Sequence, residues 1–285
     1  MSAPVIVGTD GSPPATAAVL WAAGEAARRS LPLRIVHVKE PWSYGTPYYP
    51  APGVLDQLAE SGKQIVAEAA QAAREHRPDV EIETEIVYGP VAQSLREQSA
   101  DGFETVVGHR GFGGFTGMLL GAVSLRVAGH AAGPVVVVRG DTDGDRGEVV
   151  AGIDPAEDPA PVLDHAFDAA GIRGARLRIV HTWQLLAPPV DFSGTADVEE
   201  IAQAVRTDVD KAVAPWRERH PEIEVVTVVG RDHPVRALTE SSAQADLVIV
   251  GSRNRSALGL MHLGSVSHGL VHHAHCPVAV VRARS

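Results

Sequence analysis

The chain has 285 residues, 45% hydrophobic and 21% charged, with 35 acidic against 25 basic residues for a formal net charge of −10. At roughly 100–200 residues per domain this length implies two domains, each able to bury a core without disulfides; the single cysteine, Cys276, excludes an intramolecular bridge and fits a reducing compartment. The acidic excess argues against nucleic-acid and anionic-membrane partners, and with no long apolar run and no basic-then-apolar leader the expectation is a cytoplasmic protein.

In chain order, β-branched runs alternate with alanine-rich helical segments. The first half predicts strands over Pro4–Gly8, Leu33–Val38, Glu81–Tyr88, Thr105–Gly108 and Pro134–Arg139, with helices over Ala15–Arg29, Val54–His76, Val91–Ser99 and Gly121–Ala131 between them. The second half predicts strands over Glu148–Ile153, Leu177–His181, Glu222–Val229, Leu247–Gly251 and Pro277–Arg282, again separated by helix-length segments. Near-continuous valine and isoleucine runs suit parallel strands buried on both faces. The alternation is that of an α/β, doubly wound parallel sheet, whose ligands bind at the carboxyl ends of the strands where the strand order reverses.

The chain also repeats itself. His130–Arg139 and His273–Arg282 share seven of ten residues at an offset of 143, and Gly108–Ser124 and Gly251–Ser267 share seven of seventeen at the same offset. Val5–Asp10 matches Val149–Asp154, and Ile35–His37 matches Ile179–His181, at an offset of 144. Blocks in one order at one spacing mark a duplicated domain. The expected division is 1–140, a polar linker at 141–147, and 148–285.

After each fourth strand comes a glycine constellation. Gly108-His-Arg-Gly111 is followed by nine residues and Gly121-Ala-Val-Ser124; Gly251-Ser-Arg-Asn254 is followed by nine residues and Gly264-Ser-Val-Ser267. Glycine at a strand end permits torsions and close approaches that a side chain blocks. Gly121 and Gly264 open helices whose unpaired amides can face an anion; Ser124, Ser265 and Ser267 offer hydroxyls, and Arg110 and Arg253 offer charge for a polyphosphate. The Gly-Lys-Ser/Thr of a P-loop is missing, which disfavours that chemistry. Asp10 and Asp154 follow the first strands, positioned for ribose hydroxyls or for an Asx turn or helix cap, and one carboxylate can do both.

Taken together, Gly-x2-Gly-x9-Gly-Ser/Thr, the aspartate after the first strand and His-Ala-x-x-Pro-Val before the last resemble the universal stress protein family in its tandem form. The resemblance implies two Rossmann-like domains of the adenine nucleotide alpha hydrolase-like type, each a five-stranded parallel sheet with helices on both faces. It further implies ATP as ligand, with Mg2+ as an optional companion, and a pseudo-symmetric intramolecular pairing of the two copies through their last strands. Ribose then falls on Asp10 and Asp154, phosphates on Gly108, Gly111, Gly121, Ser124 and on Gly251, Gly264, Ser265, Ser267, and adenine near Val38 and Thr182. Ala122 departs from the pattern in the first copy by removing a hydroxyl, and Asn254 in the second by replacing a glycine. The expectation is ATP in at least one domain, with unequal affinities.

Other features point less sharply. His268, His272 and His275 stand at helical spacing but lack a further ligand to complete a zinc set, so no metal site is expected. His130 and His273 sit where a cation favours a helix end. The aromatic Pro41–Pro50 and its counterpart Trp183–Pro189 serve equally as lids, partner contacts or packing. No nucleophile–base pair recurs in both copies, so at most slow ATP hydrolysis is expected. Three readings stay open: a nucleotide-occupancy signal, a nucleotide-free scaffold, and an adenine-nucleotide-dependent enzyme. A homodimer is left open.

Overall fold

The computed structural model describes residues 3–40, 54–112, 120–142, 145–184, 198–252 and 263–282, with 54–59 and 198 as backbone. Residues up to Thr142 form one compact unit; Asp145 to Ser252 with Gly264 to Arg282 form the other. Part of the expected linker, 143–144, the aromatic loop at 41–50, most of its counterpart, and Arg253 and Asn254 lie outside the described residues.

The first unit runs β1 (Val5–Gly8), α1 (Pro13–Arg29), β2 (Leu33–Lys39), α2 (Val54–His76), β3 (Ile82–Tyr88), α3 (Val91–Gln98), β4 (Glu104–Gly108), α4 (Ala122–His130) and β5 (Val135–Val138). Its five strands are all parallel in the order β3-β2-β1-β4-β5. The chain leaves β1 toward β3 on one side and returns to β4 on the other, so the order reverses between β1 and β4. Helices α1 and α2 pack together, as do α3 and α4, covering the two faces. Val5, Ile6, Val7, Leu33, Ile35 and Val36 are fully buried, as a doubly covered sheet requires.

The second unit repeats this with β6 (Glu148–Gly152), α5 (Ala160–Arg173), β7 (Arg176–Trp183), α6 (Val198–Arg219), β8 (Val225–Arg231), α7 (Pro234–Ser242), β9 (Leu247–Gly251), α8 (Ser265–His273) and β10 (Val278–Val281). Its strands are parallel in the order β8-β7-β6-β9-β10. Both units are therefore Rossmann-like α/β domains. β8 begins at Val225, three residues later than the sequence pattern predicts, because the Ile223 amide closes a turn onto the His220 carbonyl (3.2 Å).

One local difference governs the sites. Helix α1 starts early, at Pro13: the Ser12 hydroxyl accepts from the Ala15 amide at 3.4 Å, and proline is preformed for a first turn that needs no N–H. Helix α5 starts at Ala160, six residues after Asp154, whereas α1 starts three after Asp10. The intervening segment turns instead, with the Glu157 amide on the Asp154 carbonyl at 3.0 Å.

At the opposite edge of the second sheet, Glu148 is 1% exposed yet charged. Arg178 holds both its oxygens, at 2.7 and 3.0 Å, and Arg176 Nε holds Oε2, tying β6 to β7. Removing one member of a buried pair leaves the others uncompensated. Glu148→Gln is expected to cost the second domain about 2 kcal/mol in denaturant unfolding, below the ~3–5 kcal/mol of a fully buried pair because both arginines are partly exposed. An unchanged midpoint would contradict this.

Candidate functional site

In the first domain, the carboxyl ends of β1 and β4 meet around Asp10. Its Oδ1 accepts from the Ser12 amide at 3.0 Å, an Asx turn, and its Oδ2 accepts from the Phe112 amide at 2.9 Å. The β4 loop is thus fastened across the carboxylate, and Phe112 stands 71% exposed. Of the two uses the sequence allows the loop glycines, unusual torsions are not found: Gly108, Gly111 and Gly121 all lie outside the left-handed region. Space is what two of them supply. A Cβ at Gly108 would lie 2.6 Å from the Pro14 carbonyl oxygen, and one at Gly111 would lie 2.3 Å from Asp10 Oδ2. At Gly121 a Cβ meets only ordinary contacts at 3.5 Å.

The repeated serines are committed to the loop in both domains. Ser124 Oγ donates to the Gly108 carbonyl at 2.6 Å, and Ser267 Oγ donates to the Gly251 carbonyl at 2.7 Å. Each hydroxyl proton is therefore spent on fixing the strand end to the following helix rather than aimed outward. Gly121 and Gly264 are the N-caps of α4 and α8. Neither helix has a side-chain cap, which leaves first-turn amides for other acceptors. Arg110 is exposed on the loop, and Val38 is half-buried on β2 opposite Val87.

The second domain presents an open counterpart. A cavity of about 610 Å³ lies at the carboxyl edge of its sheet, within the size range of small-molecule sites. Asp154, Thr182, Gly251, Gly264, Ser265 and Ser267 all line it. Its walls are apolar where Ile153, Val180 and Leu238 contribute. Asp154 Oδ1 accepts from the Ala156 amide at 3.1 Å, repeating the Asx turn. Among the described residues the buried Thr182 hydroxyl oxygen has no hydrogen-bond partner, a cost that a ligand group can relieve. Because α5 starts late, a Cβ at Gly251 meets Val162 only at 3.5 Å among the described residues, in contrast to the crowding at Gly108.

Some contributors escaped the motif reading. His37 Nδ1 lies 2.8 Å from the Thr9 carbonyl and His181 Nδ1 lies 2.9 Å from the Ile153 carbonyl, so in both domains a histidine on the second strand pins the residue just before the aspartate. The signal was present as the repeated Ile-Val-His. Glu157, Asp158 and Arg282 also line the cavity; the first two fall where the copies differ, so the repeat gave no pointer to them. Among the described residues no group of three histidine, cysteine, aspartate or glutamate side chains is placed to hold a metal, and no helix is long and apolar enough to cross a membrane.

Two tandem domains of this architecture, each with an aspartate and a glycine loop at the strand ends, define a class of duplicated Rossmann-like proteins. The model of the universal stress protein family matches residues 1–139 and again 146–282. A universal stress protein of Mycobacterium tuberculosis (strain H37Rv) is 36% identical over 294 residues, spanning 98% of this chain and 96% of its own. One from Mycolicibacterium smegmatis is 35% identical over 292 residues, spanning 98% and 97%. The crystal structure of a universal stress protein from Archaeoglobus fulgidus shares the fold at a TM-score of 0.73 and 19% identity, covering 99% of this chain and 97% of that one. The chain belongs to the universal stress protein family.

Two outcomes test this geometry. Gly108→Ala forces a methyl onto the backbone of α1 and is expected to destabilise the first domain by about 2–3 kcal/mol, while Gly251→Ala costs under about 1 kcal/mol. Equal effects in denaturant unfolding would contradict the asymmetry. His109, whose Nδ1 lies 3.3 Å from the Val138 carbonyl, titrates below its ordinary 6.5: burial is the main cause, Arg110 and Arg139 act in the same direction, and the bond to Val138 opposes them. The folded state thus favours the neutral ring. Its contribution is complete above about pH 6.5 and is lost as pH falls toward the lowered folded value, because the unfolded chain takes up the proton first. His109→Asn should therefore lose less stability than the parent between pH 7.5 and the acid limb, and parallel profiles would contradict it.

Proposed function

We propose that this universal stress protein is a cytoplasmic ATP-binding protein that signals through nucleotide occupancy, with the second domain as its principal receptor. The observation that supports this reading is the second-domain cavity, lined by six of the seven second-domain residues singled out by sequence, the seventh, Arg253, lying outside the described residues. Asp154, held in place by its Asx turn and by His181 beneath Ile153, faces ribose hydroxyls. The open amides at the start of α8, with the Ser265 hydroxyl, receive phosphate. The buried Thr182 hydroxyl and the apolar walls accept the base. Arg253 is the expected second cation for the phosphate tail, and Mg2+, which neutralises phosphate charge, is an optional companion.

In the first domain a nucleotide has to compete with the Phe112 amide for Asp10, and Ala122 withholds a hydroxyl from the phosphates. Both differences support unequal affinities. The arrangement that the copies share offers no activated nucleophile: in each, the serine hydroxyl donates to a backbone carbonyl. Slow hydrolysis at most is the consequence.

Asp154→Ala is expected to weaken Mg-ATP binding to the full chain about tenfold or more, the effect of losing a hydrogen bond to a charged group. Titration calorimetry checks it. An unchanged dissociation constant, or no heat of binding by the parent protein, would overturn the assignment.

A further inference from the structure

At the carboxyl edge of the first sheet the chain occupies its own aspartate. Both carboxylate oxygens of Asp10 are engaged, Oδ1 by the Ser12 amide at 3.0 Å and Oδ2 by the Phe112 amide at 2.9 Å. The first bond is local and belongs to the turn, whereas the second comes from the loop after β4, 102 positions away. That loop also sits on the carboxylate. A Cβ at Gly111 would lie 2.3 Å from Oδ2, so only glycine lets the backbone come this close. A ribose hydroxyl seeking Oδ2 needs the same oxygen and the same space.

The strand end behind this contact is fixed as far as His109. The Gly108 carbonyl accepts from Ser124 Oγ at 2.6 Å, the His109 amide donates to the Val138 carbonyl at 3.0 Å, and the His109 carbonyl accepts from the Gly121 amide at 2.8 Å. The bond to Asp10 lies further out, where Arg110, Gly111 and Phe112 are all exposed and water can replace an amide donor. We infer that the Asp10–Phe112 bond is an autoinhibitory latch: while it is made the first-domain site is closed to nucleotide, and binding there requires Phe112 to let go. The inference rests on the proposed nucleotide reading and gives occupancy a moving part, because release carries with it an aromatic ring that is 71% exposed. A site that is competent for only a fraction of the time binds more weakly by that fraction. Displacing a hydrogen bond to a charged group sets the fraction at about one tenth.

Phe112→Pro deletes the N–H donor and leaves the carboxylate untouched. It is placed in the full chain together with Asp154→Ala, which lowers second-site binding, and Mg-ATP is titrated by calorimetry. Binding is expected to be about tenfold tighter than in Asp154→Ala alone, and the gain is expected to vanish when Asp10→Ala is added. The latch is also read without ligand, from the exchange rate of the Phe112 amide by NMR, which is expected to rise about tenfold in Asp10→Ala. That measurement leaves the loop sequence unchanged, so it decides even where proline disturbs the loop. Unchanged affinity on adding Phe112→Pro, a gain that survives Asp10→Ala, or a Phe112 exchange rate indifferent to Asp10 overturns the latch and leaves the nucleotide reading standing. No ATP binding by any of these proteins, the parent included, overturns both.

Discussion

The distance between the end of the first strand and the start of the next helix decides what each half of this chain can do. In the first domain Ser12 and Pro13 start α1 three residues after Asp10, and the first turn of that helix packs against Gly108 so closely that a methyl does not fit. In the second, six residues separate Asp154 from α5, the corresponding Gly251 has room, and a cavity of about 610 Å³ lies at that strand edge. Duplication kept the sheet and the loop serines; the change in helix start separates the two sites.

The conserved elements explain why the sheet edge is a usable platform at all. Each aspartate is oriented twice, by an amide two residues on and by a histidine on the neighbouring strand that fixes the preceding carbonyl. Each fourth strand is tied to the following helix by a serine-to-carbonyl bond. Groups held this way lose little further freedom when a ligand arrives, so more of the contact energy appears as affinity.

Much of this could be read in the sequence. The strand and helix order and the duplication follow from β-branched runs and a constant offset, because those signals arise from backbone geometry that both copies share, and six of the second-domain candidates meet at one cavity. Three things were not legible. The serines look like outward donors in a motif, and only coordinates show their protons spent on Gly108 and Gly251. The glycines fit either unusual torsions or close approach in the sequence, and only the structure decides for close approach at Gly108 and Gly111. The fastening of Phe112 onto Asp10 joins residues 102 positions apart, a tertiary contact that no local pattern encodes. The late start of α5 was available in principle, since Pro155-Ala-Glu-Asp-Pro159 lacks the Ser-Pro signal of the first copy.

The central claim is that the second domain is the receptive one. Photoaffinity labelling of the full chain with an azido-adenine nucleotide, followed by peptide mapping, tests it most directly. The account predicts label on peptides of the second half around β7 and α8, competed away by Mg-ATP. Label confined to the first half, or shared equally between Val38 and Thr182 segments, would contradict it.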